Sequence, residues 1–172
     1  MSLSLLQTVG SPVLTQKAKA INVCDAHVLR VIDQMSHALA EYRAQTGYGR
    51  AMAAPQIGES IRLIVINLGD GPVALINPEM IWCSQEMQTV WDDCLSVPDH
   101  IVLVERHQSI SVRYTDTQNE IQTMQKLDAS TSELLQHELD HLDGILMDER
   151  AVLRDGVKTI RPISDRVLLM PR

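Results

Sequence analysis

Histidines at positions 137 and 141 bracket two acids in the stretch His137-Glu138-Leu139-Asp140-His141. On a helix, residues four apart share one face. Both imidazoles can therefore reach one metal ion while Glu138 reaches the water bound to it. Neutral imidazole nitrogens donate to a borderline divalent ion, and a neighbouring carboxylate can take a proton from water, which is the chemistry of metal-assisted hydrolysis. The bland alternative is a solvated polar helix face. Leu134, Leu135, Leu139 and Leu142 argue against it, because they give the same helix an apolar side.

Two imidazoles leave the coordination sphere incomplete. The elongated pattern H-E-x-x-H-x-x-G-x-x-H fails, because Met147 stands where its third histidine belongs. A later carboxylate would suit a thermolysin-like site, and Asp148, Glu149, Asp155 and Asp165 are available, but no obvious second helix presents them. Cys94 is the better candidate: it lies in the irregular segment Asp92-Asp93-Cys94-Leu95-Ser96, where a strand edge could hold a thiolate toward the helix. Cys24 and Cys83 read as small core hydrophobes.

The elements that must position these groups follow from periodicity. Val28, Val31, Ile32, Met35 and Leu39 recur at helical spacing behind Asp25, predicting a capped helix over about 26–44 that ends at Thr46-Gly47-Tyr48-Gly49. His27 and His37 fall outside its apolar stripe and read as surface residues. Residues 49–60 are too rich in Ala and Gly for a normal strand, whereas 61–68 form an apolar strand. Gly69 to Pro72 make a turn, and the next strand is broken at Pro78. Strand character returns at 85–92, 101–116 and, briefly, from 121 to 128. The second helix begins at 128–130, with Ser130 as cap and Glu133 completing a capping box, and stops at Gly144. Residues 145–172 suggest a short helix near the acidic cluster, a turn at Asp155-Gly156 and strand-like pieces. The class is α+β.

Three ordered segments now stand out: Gly49-Arg50-Ala51-Met52-Ala53-Ala54-Pro55-Gln56, then Asp92-Asp93-Cys94-Leu95-Ser96, then Gln136-His137-Glu138-Leu139-Asp140-His141. Together with Gly10-Ser11-Pro12-Val13-Leu14 and Ile76-Asn77-Pro78, they give a chain that, over most of its length, resembles the peptide deformylase family. That family removes formate from the N-terminal formyl-methionine of new polypeptides. The resemblance implies mixed or antiparallel sheets packed around a central helix carrying HExxH, within a single catalytic domain spanning 1–172. It implies that Cys94, His137 and His141 hold the metal and that Glu138 activates its bound water and then protonates the leaving amine. Gln56, through its amide, and Leu95, through its backbone N–H, would stabilise the oxyanion. Gly49, Arg50, Ala51 and Asp93 would form the rim along which substrate lies, with Asp92, Arg106, Gln136 and Asp140 supporting the ligands. The implied ion is Fe²⁺ in the cell, with Ni²⁺ or Zn²⁺ able to substitute. The implied partners are N-formylated nascent peptides, with a possible ribosome contact through Arg150, Arg154, Lys158, Arg161 and Arg166, on a monomer.

Several positions depart from the family pattern. Asp92 stands for the usual Glu, Asp93 for Gly, Ala51 for the second Gly of the first motif, and Arg50 for an aliphatic residue that helps shape the methionine pocket. Glu133 stands where Arg or an aliphatic residue is common. A methyl on residue 51 would crowd a close backbone approach or forbid a positive φ. Asp93 would add negative charge beside a bound peptide, and the shorter Asp92 would need a shifted geometry to reach Arg106. These departures keep two alternatives open. One is a deformylase-like amidohydrolase acting on another formylated or acylated amine, with Arg50 reading an acidic group; the other is a non-enzymatic metal-binding paralogue.

Composition narrows the rest. In 172 residues, 22 acidic side chains outnumber 15 Lys and Arg, for a net charge of -7, so a broad basic face for nucleic acid is not expected. With 8 Met and no Phe, gap filling in the core falls to Met and branched aliphatics. Three cysteines fit a reducing compartment. The N-terminal residues lack a signal-peptide pattern, and no apolar run approaches the roughly 18 residues of a membrane span. A cytoplasmic protein without membrane contact is expected.

Overall fold

The computed structural model describes residues 3–169. Helix α1 (Ala26–Thr46) begins where the Asp25 carboxylate accepts the backbone N–H groups of His27 and Val28, and it closes at Gly47 in the left-handed region, φ 75°. After it come β1 (Ala51–Ala53), a 3-10 turn at Ala54–Ile57, β2 (Leu63–Ile66), β3 (Val73–Cys83), β4 (Met87–Cys94), β5 (Val97–His107), β6 (Ile110–Thr115) and β7 (Ile121–Met124). Helix α2 (Ala129–Leu142) follows, then β8 (Leu153–Arg154), β9 (Val157–Lys158), β10 (Ile160–Pro162) and the short α3 (Arg166–Leu169). The strands form a five-stranded sheet ordered β1-β2-β3-β6-β7, a three-stranded sheet β10-β5-β4 and the hairpin β8-β9. Every pairing between these strands is antiparallel.

The two long helices cover opposite faces of the five-stranded sheet. Leu63 and Val65 pack with Val31, Met35 and Leu39 of α1, while Ile64 and Ile66 pack with Leu135 and Leu142 of α2. Side chains alternate along a strand, so burial of both faces yields the unbroken apolar run that marks β2 in the sequence. β1 obeys the same rule with smaller residues. Met52 joins the α1 side, and Ala51 and Ala53 join the α2 side, where their methyls let the helix come close. This strand was not expected from the sequence, because its Ala content reports close packing rather than β propensity.

Four further readings are corrected. β3 is not broken at Pro78: its register shifts between Ile76 and Glu79, with Asn77 at φ 48°. At this bulge the Asn77 side chain accepts from Ile21 N–H and donates to Ile21 C=O, tethering the lead-in segment to the sheet. Helix α2 is capped by Asp128, whose carboxylate accepts from Thr131 N–H at 2.8 Å, and not by Ser130 with Glu133. Cys83 is exposed at the end of β3 and not a core residue. The fourth concerns the helix at the centre of the fold. α2 packs on one face of the five-stranded sheet and is hydrogen-bonded to β5 of the smaller one, and the potential metal-holding unit is not its HExxH stretch; it is the group Cys94, His137 and His141, drawn from β4 and α2 together. The reason is helical: Glu138 is turned about 100° from His137 around the axis, so the third converging donor has to come from another element.

The turn at Asp155-Gly156 is present, closing β8-β9 with both residues at positive φ. The strand-like reading of the tail extends to 170–172, which lie outside the described residues. Among the described residues, no helix is long and apolar enough to cross a membrane.

Candidate metal centre

Cys94 sits at the hairpin between β4 and β5, paired with Val97 across the turn residues Leu95 and Ser96. Between the pairs Asp92–Val102 and Cys94–Val97 the register shifts: Asp93 alone separates the paired positions on β4, whereas Pro98 to Ile101 separate them on β5, an irregularity that re-aims the side chains beside it. His137 and His141 occupy successive turns of α2. The ligand atoms of Cys94, His137 and His141 lie within 4.8 Å of one another, and all three residues are buried. The Cys94 Sγ and His141 Nε2 are 3.1 Å apart, as are the two Nε2 atoms. One sulfur and two imidazole nitrogens converging on one point fit a tetrahedral or open four-coordinate divalent ion such as Zn²⁺ or Fe²⁺.

The surroundings fix that geometry. Asp92 Oδ2 lies 2.9 Å from His137 Nδ1 and accepts Arg106 Nη2 at 3.0 Å. A carboxylate at Nδ1 places the ring proton there and leaves Nε2 free to ligate. Burial alone would raise Asp92, but His137 and Arg106 hold it at about 2. Burial likewise opposes a charged His137, yet Asp92 and Cys94 outweigh it and push the imidazole well above its ordinary range. His141 goes the other way: burial and the neighbouring His137 drive it well below that range, so it stays neutral. Arg106 also donates Nη1 to Asp140, whose carboxylate is shared with Arg150 at 2.7 Å. The Asp140 side chain is thus linked to the His137 side chain through Arg106 and Asp92.

Glu138 is buried with Oε2 unpartnered, and burial pushes its carboxyl up to about 7. A carboxyl of that acidity can exchange a proton in both directions near neutrality. Gln56 is fully buried in the 3-10 turn after β1. Its Oε1 accepts from Ala53 N–H at 2.9 Å, and its Nε2 is aimed at Cys94 Sγ (3.6 Å) and Ser96 Oγ (3.3 Å). Leu95 lines the cleft with His137 and Glu138. Gln136 faces elsewhere: its amide brackets the backbone of His107, accepting from the N–H and donating to the C=O, and so stitches α2 to β5.

The cleft has a volume of about 780 Å³ and runs between Tyr48–Ala51 on one side and Gln88–Asp93 on the other, with α2 as its floor. A sequence model of the polypeptide deformylase family matches residues 4–155. The chain belongs to that family. The peptide deformylase of Thermotoga neapolitana is 36% identical over 145 residues, which is 84% of this chain and 85% of the relative. The crystal structure of peptide deformylase from Thermotoga maritima superposes with a TM-score of 0.79 at 34% identity, covering 86% of this chain and 97% of that one. A peptide deformylase from Synechococcus elongatus, in complex with actinonin, gives 0.78 at 34% identity over 88% and 80%.

The departures from the deformylase pattern have local counterparts. Asp92 does reach Arg106. Ala51 is regular strand, paired with Ile66 and buried against α2, so its methyl is part of the core and not an obstruction. The backbone that does need glycine is Gly49, at φ 105°, where an added Cβ would stand 3.1 Å from the Tyr42 ring. Asp93 is matched by Arg166 of α3 at 2.8 Å. Arg50 and Glu133 pair with each other. Sequence reasoning missed Ser96, Ser130, Arg150 and Tyr48 at the site. For Ser96 the signal was present, directly after Cys94-Leu95; the others are joined only by long-range folding.

Proposed function

We propose that the chain removes the formyl group from N-formyl-methionyl peptides, releasing formate. The family makes it a metal-dependent deformylase-type hydrolase, and one observation carries the finer reading: Glu138, with its buried Oε2 unpartnered, lines the cleft beside three converging ligand atoms. Cys94, His137 and His141 would hold a divalent ion, which when bound would lower the pKa of water and polarise a carbonyl. Glu138 takes the proton from the attacking water and returns it to the departing peptide amine, a transfer its raised acidity suits. The Gln56 amide N–H and the Leu95 backbone N–H serve as donors to the oxygen of the formyl group as negative charge gathers there. Asp92 keeps the His137 proton on Nδ1, and Arg106 holds Asp92 and Asp140 in place. Gly49, Arg50, Ala51 and Asp93 border the path of the peptide.

On this reading residues 1–172 are one catalytic domain, and the protein works as a monomer in the cytoplasm. The soft thiolate and two imidazoles support Fe²⁺ as the cellular ion, with Ni²⁺ or Zn²⁺ as substitutes. Nascent formylated chains are the partners. Arg150 and Arg166 are tied to Asp140 and Asp93, which leaves Arg154, Lys158 and Arg161 for any contact with the ribosome. The test is formate release from formyl-Met-Ala-Ser by protein reconstituted with ferrous ion. Rapid release is expected; none would leave the fold without this activity.

A further inference from the structure

α2 presents one more charged side chain to the cleft. Glu133 lies four residues before His137, and Leu134 three before it, so on the helix surface both adjoin the ligand. Both line the cleft together with Glu138. Arg50 crosses to meet them from the start of β1. Its Nη2 donates to Glu133 Oε1 at 2.5 Å, and its Nη1 donates to Ser130 Oγ at 2.7 Å and to Ser130 C=O at 3.3 Å. The Glu133 side chain is 15% exposed and that of Arg50 38%, so the guanidinium is the more open half of the pair.

The first residue of a formyl-peptide carries its side chain on the carbon next to the nitrogen that loses the formyl group. With the formyl carbon at the three ligand atoms, the cleft residues that helical spacing sets beside His137, Glu133 and Leu134, together with Arg50 on Glu133, are placed to meet that side chain. Leu134 offers apolar contact. Arg50 offers fixed N–H donors that remain charged at every relevant pH. A thioether gives such donors only a weak acceptor, whereas a side-chain carbonyl gives a strong one. Resting on the deformylase reading above, we propose that Arg50, braced by Glu133 and Ser130, is a specificity-determining residue that opens this subsite to a first residue with a hydrogen-bond-accepting side chain, at the expense of selectivity for methionine.

The test compares formyl-Met-Ala-Ser, formyl-Gln-Ala-Ser and formyl-Lys-Ala-Ser as substrates of the ferrous holoenzyme, its Arg50→Leu/Glu133→Leu double variant and Arg50→Lys. Removing both charges together avoids stranding one of them in the cleft wall. The ratio of kcat/KM for Met over Gln is expected to rise about ten-fold or more in the double variant, with Arg50→Lys between it and the parent. The parent should favour Gln over Lys, and the double variant should lose that preference. Unchanged ratios overturn the proposal and leave deformylation standing. If the parent releases formate from no peptide, the functional reading is what has failed. The subsite is then decided by calorimetric binding of Met-Ala-Ser and Gln-Ala-Ser to the same metal-loaded proteins: the same ten-fold change in ratio supports the proposal, and equal ratios overturn it.

Discussion

A single oxygen, Asp92 Oδ2, stands 2.9 Å from His137 Nδ1 and 3.0 Å from Arg106 Nη2, so one carboxylate orients a metal ligand and anchors to a buried cation at once. Asp92→Asn should keep the fold but weaken metal binding by about 10- to 100-fold, because the amide no longer enforces the His137 tautomer. Competition with a chelator measures this. Cys94→Ala removes a ligand outright and should lose more affinity than Asp92→Asn; the reverse order would mean that Cys94 does not ligate.

Arg106 carries the other half of this relationship. Its side chain is 4% exposed and is claimed by both Asp92 and Asp140. Arg106→Met would remove the cation that Asp92 and Asp140 share, leaving Asp92 to His137 and Asp140 to Arg150, and a loss of about 3–5 kcal/mol in unfolding free energy is expected by urea titration. Retention of full stability would show that Arg150 alone can hold the network.

Glu138 connects catalysis with pH. Glu138→Gln should keep the metal and lose turnover by at least about 10²-fold, checked by metal analysis beside formate release. In the metal-free protein, burial raises the Glu138 carboxyl from its ordinary 4.5 to about 7. The folded state therefore holds this proton more tightly than the unfolded chain. The resulting stability is complete below about pH 4.5 and is lost as pH rises through about 7, an effect on the order of 3 kcal/mol. His137, also raised, contributes in the same direction, so the comparison must be with Glu138→Gln. The parent apo-protein should lose more stability between about pH 4.5 and 7 than the variant does, and parallel curves over that window would exclude the raised carboxyl.

How much of this could be read beforehand depended on the range of the interaction. α1 and α2 were visible because their apolar stripes and the stop at Gly47 are local. Cys94, His137, His141 and Glu138 were visible because each sits in a short motif. β1 was hidden, since the reason for Ala51 and Ala53 is the nearness of α2, more than seventy residues away in sequence. The α2 cap was misread for a related reason. Ser130 and Glu133 have the spacing of a capping box, but Arg50, from the first motif, takes both side chains, and Asp128 is left to cap. The partner of Asp93 was equally out of reach, because no local pattern links β4 to α3.

That last pairing has a consequence at the mouth of the cleft. Arg166 reaches back from α3, beyond the segment 4–155 that the family model matches, and donates to Asp93 at 2.8 Å while its guanidinium lies 3.7 Å from the Tyr48 ring. The two charged side chains are only 13% and 19% exposed, so water and salt screen them less than a surface pair. Together they bridge the two walls of the cleft and cancel the charge that Asp93 would otherwise present to a peptide. Arg166→Ala should uncover that charge. KM is then expected to rise several-fold for formyl-Met peptides with an acidic second residue and to change little for a neutral one. Adding Asp93→Asn should restore the acidic substrate, and the cycle of parent, two singles and double should report a coupling of about 1 kcal/mol. A uniform change across substrates, with no coupling, would instead make α3 a purely structural appendage of the rim.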